Sequence, residues 1–272
     1  MMDAARPLPM PRDLGSRDSE SHEYPELDGQ VPVVVPPAPA DPISTLAAQR
    51  SRTASESSPH RFPVDVPSST GKLLFTRGGD PYMCSASTVN SASKALIITA
   101  AHCIYDYDQW SSNFVYIPQY ESGSAPLGVW NWSSAVVLSP WVDDRDFMFD
   151  FGAIRLNTNN SQNIGEATGA NGFATGFDPY QLDIRIWGWP GNILGGLVGQ
   201  FCQGDALASG AQSVLYCGMG GGSSGGPWWL YGYSDDADAL GIAYAIQSRS
   251  NGTHSLAFPL NSYLHALIAH LG

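Results

Sequence analysis

The chain has 272 residues, with 14% charged residues against 29 glycines and 20 prolines. That balance suits one large or two modest turn-rich β domains rather than a helical bundle, which would be richer in Glu, Lys and Arg. A formal net charge of -12, with Lys72 and Lys94 the only lysines, argues against a nucleic-acid partner, because phosphate contacts draw on Lys and Arg.

Residues 1–62 are rich in Pro, Ser, Asp and Glu and contain VPVVVPPAPADP, a polyproline-like stretch that does not pack as a domain. They read as a propeptide or as a disordered extension, with Arg50, Arg52 and Arg61 as candidate processing points. The start, MMDAARPLPMPRD, lacks the apolar run of a signal peptide. From about residue 70 the pattern changes to short apolar runs broken by turn residues. Strands are expected at 72–77, 83–89, 95–99, 113–117, 135–138, 151–156, 184–189, 195–200, 213–217, 227–231, 240–248 and 255–259. Many short strands separated by Gly, Asn and Asp suggest barrels or a sandwich. The tail differs. Asn261 or Ser262 can cap a helix, and Tyr263, Leu264, Leu267, Ile268 and Leu271 recur at helical spacing. No run reaches the roughly 20 apolar residues of a membrane span, so no membrane partner is expected.

Cys84, Cys103, Cys202 and Cys217 form an even set without CxxC or Cys/His ligand spacing. No metal is therefore expected. Two disulfides are, and they place the protein in an oxidising compartment, as a secreted (extracellular) protein.

Three segments carry chemistry. In Leu96-Ile-Ile-Thr-Ala-Ala-His-Cys103 an apolar strand runs into small residues and then His102, which allows close packing around an imidazole of fixed orientation. In Asp150-Phe-Gly-Ala-Ile-Arg-Leu156 an acid stands at the mouth of an apolar strand, where it can accept an imidazole hydrogen. Asp143, Asp144 and Asp146 compete with it for that role. In Gly218-Met-Gly-Gly-Gly-Ser-Ser-Gly-Gly-Pro227, glycines around Ser224 let a substrate carbonyl approach the backbone. A tight turn there can aim the amides of Gly222 and Ser224 at a developing oxyanion, where one such donor is worth about 3–4 kcal/mol of barrier.

TAAHC, an acid before an A-I-R-L strand, and GGSSGGP, in that order, resemble the chymotrypsin-like serine peptidase family over about residues 70–272. Trp187-Gly-Trp-Pro190 and GGSSGGPW look most similar to the secreted microbial branch that includes the glutamyl endopeptidases. The resemblance implies an all-β fold of two six-stranded antiparallel barrels with a C-terminal α-helix. The first barrel would cover about 70–165, the second about 166–260 and the helix 261–271, all within a domain of 63–272. It implies a secreted serine endopeptidase, without cofactor, acting as a monomer on protein or peptide substrates. Ser224 would be the nucleophile, His102 the general base and Asp150 the residue orienting the histidine. It also implies the pairs Cys84–Cys103, bracing the histidine loop, and Cys202–Cys217, closing a loop worth roughly 3 kcal/mol.

Two departures from the pattern matter. The position before the nucleophile, an aspartate in animal digestive members, is Ser223, so activation is not expected to need a buried N-terminal ammonium. The position six before it is Gly218 instead of an aspartate, which disfavours cleavage after Lys or Arg. Gly218, Met219, Gln247 and Ser248 are expected to line the substrate pocket. No histidine stands in the Ala245–Ser248 run, leaving His254 or Arg249 as the groups that could meet an acidic side chain; the P1 residue is read as apolar or left undetermined. Asn131, Asn159 and Asn251 begin glycosylation sequons. Two other readings compete: a catalytically silent protease-like binding module, and an α/β-hydrolase esterase using Gly222-Ser-Ser-Gly-Gly226. The second leaves too few residues after Ser224 for the units that should follow its elbow.

Overall fold

The structure, a computed structural model, describes residues 5–8, 65–230 and 238–272. All of the 1–62 extension except residues 5–8 lies outside the described residues, as do Arg50, Arg52 and Arg61.

In chain order the first half contains β1 (Arg6–Pro7), β2 (Thr70–Arg77), β3 (Asp80–Thr88), β4 (Leu96–Thr99), α1 (Ala101–Ile104), the small hairpin β5 (Tyr105–Asp106) and β6 (Gln109–Trp110), β7 (Ser112–Pro118), β8 (Trp130–Val137), α2 (Ser139–Asp144) and β9 (Gly152–Leu156). The first sheet runs β1-β3-β2-β7-β8-β9-β4, and β3 also pairs with β4. That last pairing, Ser87 with Ile98 and Thr88 with Ile97, closes six antiparallel strands into a barrel. Strand β3 therefore has a divided edge. Its far end pairs with β4, and its near end, at Tyr82 and Met83, pairs with β1. The interior is filled by Leu73, Phe75, Ala86, Ile97, Phe114 and Ile154, all fully buried. Gly71 is required there, because a Cβ would lie 2.5 Å from the ring of Tyr116.

The second half contains α3 (Ile164–Thr168), β10 (Gly172–Phe173), β11 (Gln181–Gly188), β12 (Gln200–Ser209), β13 (Gln212–Tyr216), β14 (Pro227–Trp229), β15 (Ile242–Ile246), β16 (Arg249–Ser250), β17 (His254–Ala257) and α4 (Tyr263–Leu271). Its sheet runs β10-β15-β14-β11-β12-β13-β17-β16. A single antiparallel bridge, Ala245 to Pro259, joins β15 to the residues just after β17, linking the two ends of six antiparallel strands. Strands β10 and β16 are two-residue additions. Ile184, Ile186, Ala206, Trp228, Tyr244 and Ala257 form this half's core.

The expected strand at 195–200 is not formed. Gly195 and Gly196 both have positive φ, 63° and 67°, which turns the chain through a short 3-10 segment. The strand begins instead at Gln200 and runs to Ser209. The expected C-terminal helix is present from Tyr263, whose amide donates to Asn261 Oδ1 at 3.1 Å. Leu264, Leu267 and Ile268 bury one helix face against β8 and β9, so the last element in the chain packs on the first barrel. Between the barrels, the buried Asn171 accepts from Ser69 Oγ (3.0 Å) and from the amide of Gly241 (2.9 Å), and donates to Ser87 Oγ (2.9 Å).

Candidate active site

Strand β4 ends at Thr99, and the chain turns through Ala100 into the single-turn helix α1, which carries His102. The small Ala100 and Ala101 permit this tight packing, both being fully buried. Asp150 stands at the end of a 3-10 turn (Phe147–Phe149), just before β9. Because β4 and β9 are paired, from Thr99 with Gly152 to Leu96 with Arg155, the two residues meet at one barrel rim.

The Asp150 carboxylate holds His102 twice. The imidazole Nδ1 lies 2.8 Å from Oδ2 and 3.0 Å from Oδ1, and the His102 amide donates to Oδ1 at 2.9 Å. Ser248 Oγ donates a further bond of 2.6 Å to Oδ2. A carboxylate with this many donors is fixed in position, and a ring whose Nδ1 faces it presents Nε2 on the opposite side. Of the competing acids, Asp146 caps the 3-10 turn, accepting from the Met148 amide at 2.9 Å. Behind the histidine, Arg77 Nη2 donates to the His102 carbonyl at 2.6 Å and to Ser111 Oγ at 2.8 Å. Burial lowers the Arg77 pKa from its ordinary value. Burial also raises that of Asp106, with His102, Arg145 and Arg77 pulling it back.

The glycine-rich run is threaded between the barrels. The Ser85 amide donates to Ser224 O at 2.7 Å, Ser85 Oγ donates to Gly222 O at 2.8 Å, and the Trp189 amide donates to Ser85 Oγ at 2.9 Å. The amide of Gly191 donates to Gly221 O at 2.7 Å, and that of Gly226 to Ser223 O at 3.0 Å. In a trans peptide the N–H points opposite to the C=O. Fixing the carbonyls of Gly221 and Ser223 therefore turns the amides of Gly222 and Ser224 away from those partners. Gly222 (φ 96°) and Gly225 (φ 85°) hold backbone that side chains rarely adopt. At Gly225 a Cβ would also lie 2.0 Å from Thr99 Oγ1. Ser223 is buried and satisfied locally, its Oγ donating to Gly220 O at 2.8 Å.

Ser224 sits beside the histidine loop, with its carbonyl oxygen 3.9 Å from Cys103 Sγ. Both Ser224 and His102 are fully buried. Among the described residues neither Ser224 Oγ nor His102 Nε2 makes a hydrogen bond. Bonds of this kind often tighten only when substrate is bound.

The four expected pocket residues divide. Gly218 O accepts from Asn192 Nδ2 at 2.8 Å, and Asn192 Oδ1 accepts from the Gly220 amide at 2.8 Å. Met219 is buried in the second-barrel core. Gln247 is fully occupied on both amide ends, accepting from Trp228 Nε1 (2.9 Å) and donating to Arg249 O (3.0 Å). Ser248 is bound to the acid. Arg249 is held over the rings of Phe147 (4.3 Å) and Phe258 (5.5 Å), and His254 Nδ1 lies 2.8 Å from Thr253 Oγ1. Sequence reasoning missed Ser248 as a partner of the acid, and it missed Arg77, Ser85 and Asn192 altogether. The contacts of their side chains join residues 25 to 137 positions apart and leave no local pattern.

Both disulfides, Cys84–Cys103 and Cys202–Cys217, are formed. Among the described residues one cluster has metal-ligand composition, Cys84, His102 and Cys103. Its sulfurs are tied in the first disulfide and its Nδ1 faces Asp150, so it has no thiolate to offer a metal.

No family model matches the chain. It is similar to an extracellular metalloprotease of Bacillus subtilis (strain 168), 26% identical over 141 residues, which are 46% of this chain and 42% of that protein. The chain thus spans under half the length of that curated relative. Among solved structures it is similar to the protease Anisep of Arthrobacter nicotinovorans, with 26% identity and a TM-score of 0.67 over 75% of this chain and 95% of that one. The thermostable serine protease AL20 of an extremophilic microorganism gives 26% identity and a TM-score of 0.67 over 75% and 96%. A Glu endopeptidase shares the fold at 18% identity, with a TM-score of 0.63 over 79% and 94%. The resemblance to chymotrypsin-like serine peptidases therefore extends from the motifs to the fold, and the structural neighbours are proteases.

Proposed function

We propose that the chain is a serine endopeptidase that cleaves peptide bonds through an acyl-enzyme. The observation that carries this reading is the grip of Asp150 on His102 Nδ1, placed beside a serine between two outward-turned amides. Ser224 Oγ attacks the scissile carbonyl and passes its proton to His102 Nε2. The amides of Gly222 and Ser224 receive the oxyanion, and the imidazolium, steadied by Asp150, returns the proton to the leaving amine. Water then repeats the sequence on the acyl-enzyme.

The pocket wall at Gly218 carries no charge, and Arg249 is engaged with Gln212 (2.5 Å) and two aromatic rings. We assign an uncharged, apolar P1 residue on that basis. The disulfides and the extracellular relative favour secretion. The test is labelling by a fluorophosphonate together with peptide-library cleavage. Wild type is expected to be labelled at Ser224 and to cut after apolar residues, and Ser224→Ala to do neither. Absence of labelling both in the full chain and in a chain trimmed of residues 1–62 overturns the reading, and a Lys/Arg preference overturns the pocket assignment.

A further inference from the structure

The near edge of β3 is occupied by residues from the far end of the chain. In parallel register Arg6 faces Tyr82 and Pro7 faces Met83, and the Leu8 amide donates to Met83 O at 3.1 Å. Leu8 is buried in the cluster that contains Cys84 and Cys103, while Ala5 packs on the one built from Leu74, Met83 and Trp189. The Arg6 guanidinium lies 3.3 Å from Asp80. Pro7 lies so close to Gly191 that a Cβ there would be 2.1 Å from Pro7 Cγ.

Two partners of this segment, Gly191 and Met83, lead directly to the site. Gly191 is the residue that fixes Gly221 O. A Cβ on Gly222 would lie 3.1 Å from Met83 Cε, so the methionine paired with Pro7 packs beside the residue whose amide is assigned to the oxyanion. One position beyond Met83 is Cys84, bonded to the neighbour of His102, and next is Ser85, bonded to Ser224 O.

The histidine protonates the leaving amine, so the leaving chain departs on the side of the barrel that carries His102, along this same edge. A substrate's leaving residues would run away from the nucleophile, from Cys84 toward Pro81, and so antiparallel to β3. Residues 5–8 run the other way. They use the edge as an added strand would, with main-chain bonds and one anchoring side chain, but with reversed polarity.

Resting on the peptidase reading, under which a substrate's leaving residues run along the edge Pro81–Cys84, we propose that the chain's own Ala5–Leu8 occupies that edge in reverse and that the enzyme is latent while the segment is docked. Reversal explains how the segment can fill a cleavage site without being placed for cleavage. The full burial of Ser224 and His102 agrees with a closed state, since a buried nucleophile is out of reach of a substrate carbonyl.

The test compares the full chain with Leu8→Asp, which puts a charge in the anchor position, and with the milder Pro7→Asp; Leu8→Met serves as the conservative control. Amide exchange over 80–86 reads docking, while fluorophosphonate labelling of Ser224 and peptide hydrolysis read latency. Both aspartate variants are expected to lose protection and to gain at least about tenfold in labelling and hydrolysis, as for a segment docked about nine-tenths of the time or more, with Leu8→Met unchanged. Rates in both aspartate variants equal to wild type overturn the proposal, whatever the exchange shows. No labelling in any chain overturns the peptidase reading itself, a result distinct from equal labelling in all.

Discussion

The two halves of the site are held by different means. On the histidine side, side chains do the holding. Asp150 gathers bonds from the ring and amide of His102 and from Ser248, while Arg77 fixes the His102 carbonyl. On the serine side the backbone does it. Carbonyls of Gly221, Gly222, Ser223 and Ser224 are pinned by partners from both barrels, and glycines supply the positive φ and the close approach. The proposed acid–base pair needs one ring orientation, which a carboxylate with all these donors gives. The proposed oxyanion site needs fixed N–H vectors, which the pinned peptide planes supply here. The two halves should therefore fail in different ways, the first by changes of chemical group and the second by added volume.

The largest effect is expected at the carboxylate. Asp150→Asn keeps the shape but offers an amide N–H where an acceptor is needed, and kcat should fall about ten-thousand-fold with the fold intact. Kinetics beside a thermal melt would check it; a loss under tenfold would remove Asp150 from the mechanism. Gly225→Ala tests the other half. A Cβ at positive φ, 2.0 Å from Thr99 Oγ1, should cost about 3 kcal/mol or more of stability as well as activity, read by denaturant unfolding. An unshifted midpoint would show that this backbone is not confined as described. Ser248→Ala removes one donor from Asp150 and should cost about 1.5–3 kcal/mol in transition-state binding, seen in kcat more than in KM. The smallest effect concerns Asp106, below the histidine. Burial raises its pKa in the folded state, so the folded chain binds the proton more tightly than the unfolded one. Stability should then fall as pH rises from the ordinary carboxylate range through the raised folded value, and Asp106→Asn should flatten that fall in a series of melts. An unchanged slope would contradict it.

Much of the candidate site was legible because its parts are local. TAAHC, the acid before β9 and the glycine run each encode a special backbone within a few residues, so His102, Asp150 and Ser224 stand out of the sequence. What escaped is what connects distant segments. Ser248 reaches Asp150 across 98 positions, and Ser85 links Gly222 to Trp189 without a motif. The β-rich class and the closing helix followed from periodicity. The strand expected at 195–200 failed because an apolar run hid two glycines that turn the chain. The first 62 residues read as a polyproline-like extension by average composition, yet Arg6 and Pro7 form a strand. Proline cannot donate to a sheet, but at an edge it need not, and four residues can dock through their neighbours' amides and one leucine.

Helix α4 has a consequence for biosynthesis. Its apolar face completes the core of the barrel made first, although it follows everything in the barrel made second. A ribosome that has delivered His102 and Asp150 has therefore not yet delivered the side chains that seal the sheet beneath them. The earlier barrel must wait, incompletely covered, until Leu264, Leu267 and Ile268 emerge. Maturation of the two barrels is thus tied together, and a hydrolytic centre cannot be assembled on half a chain.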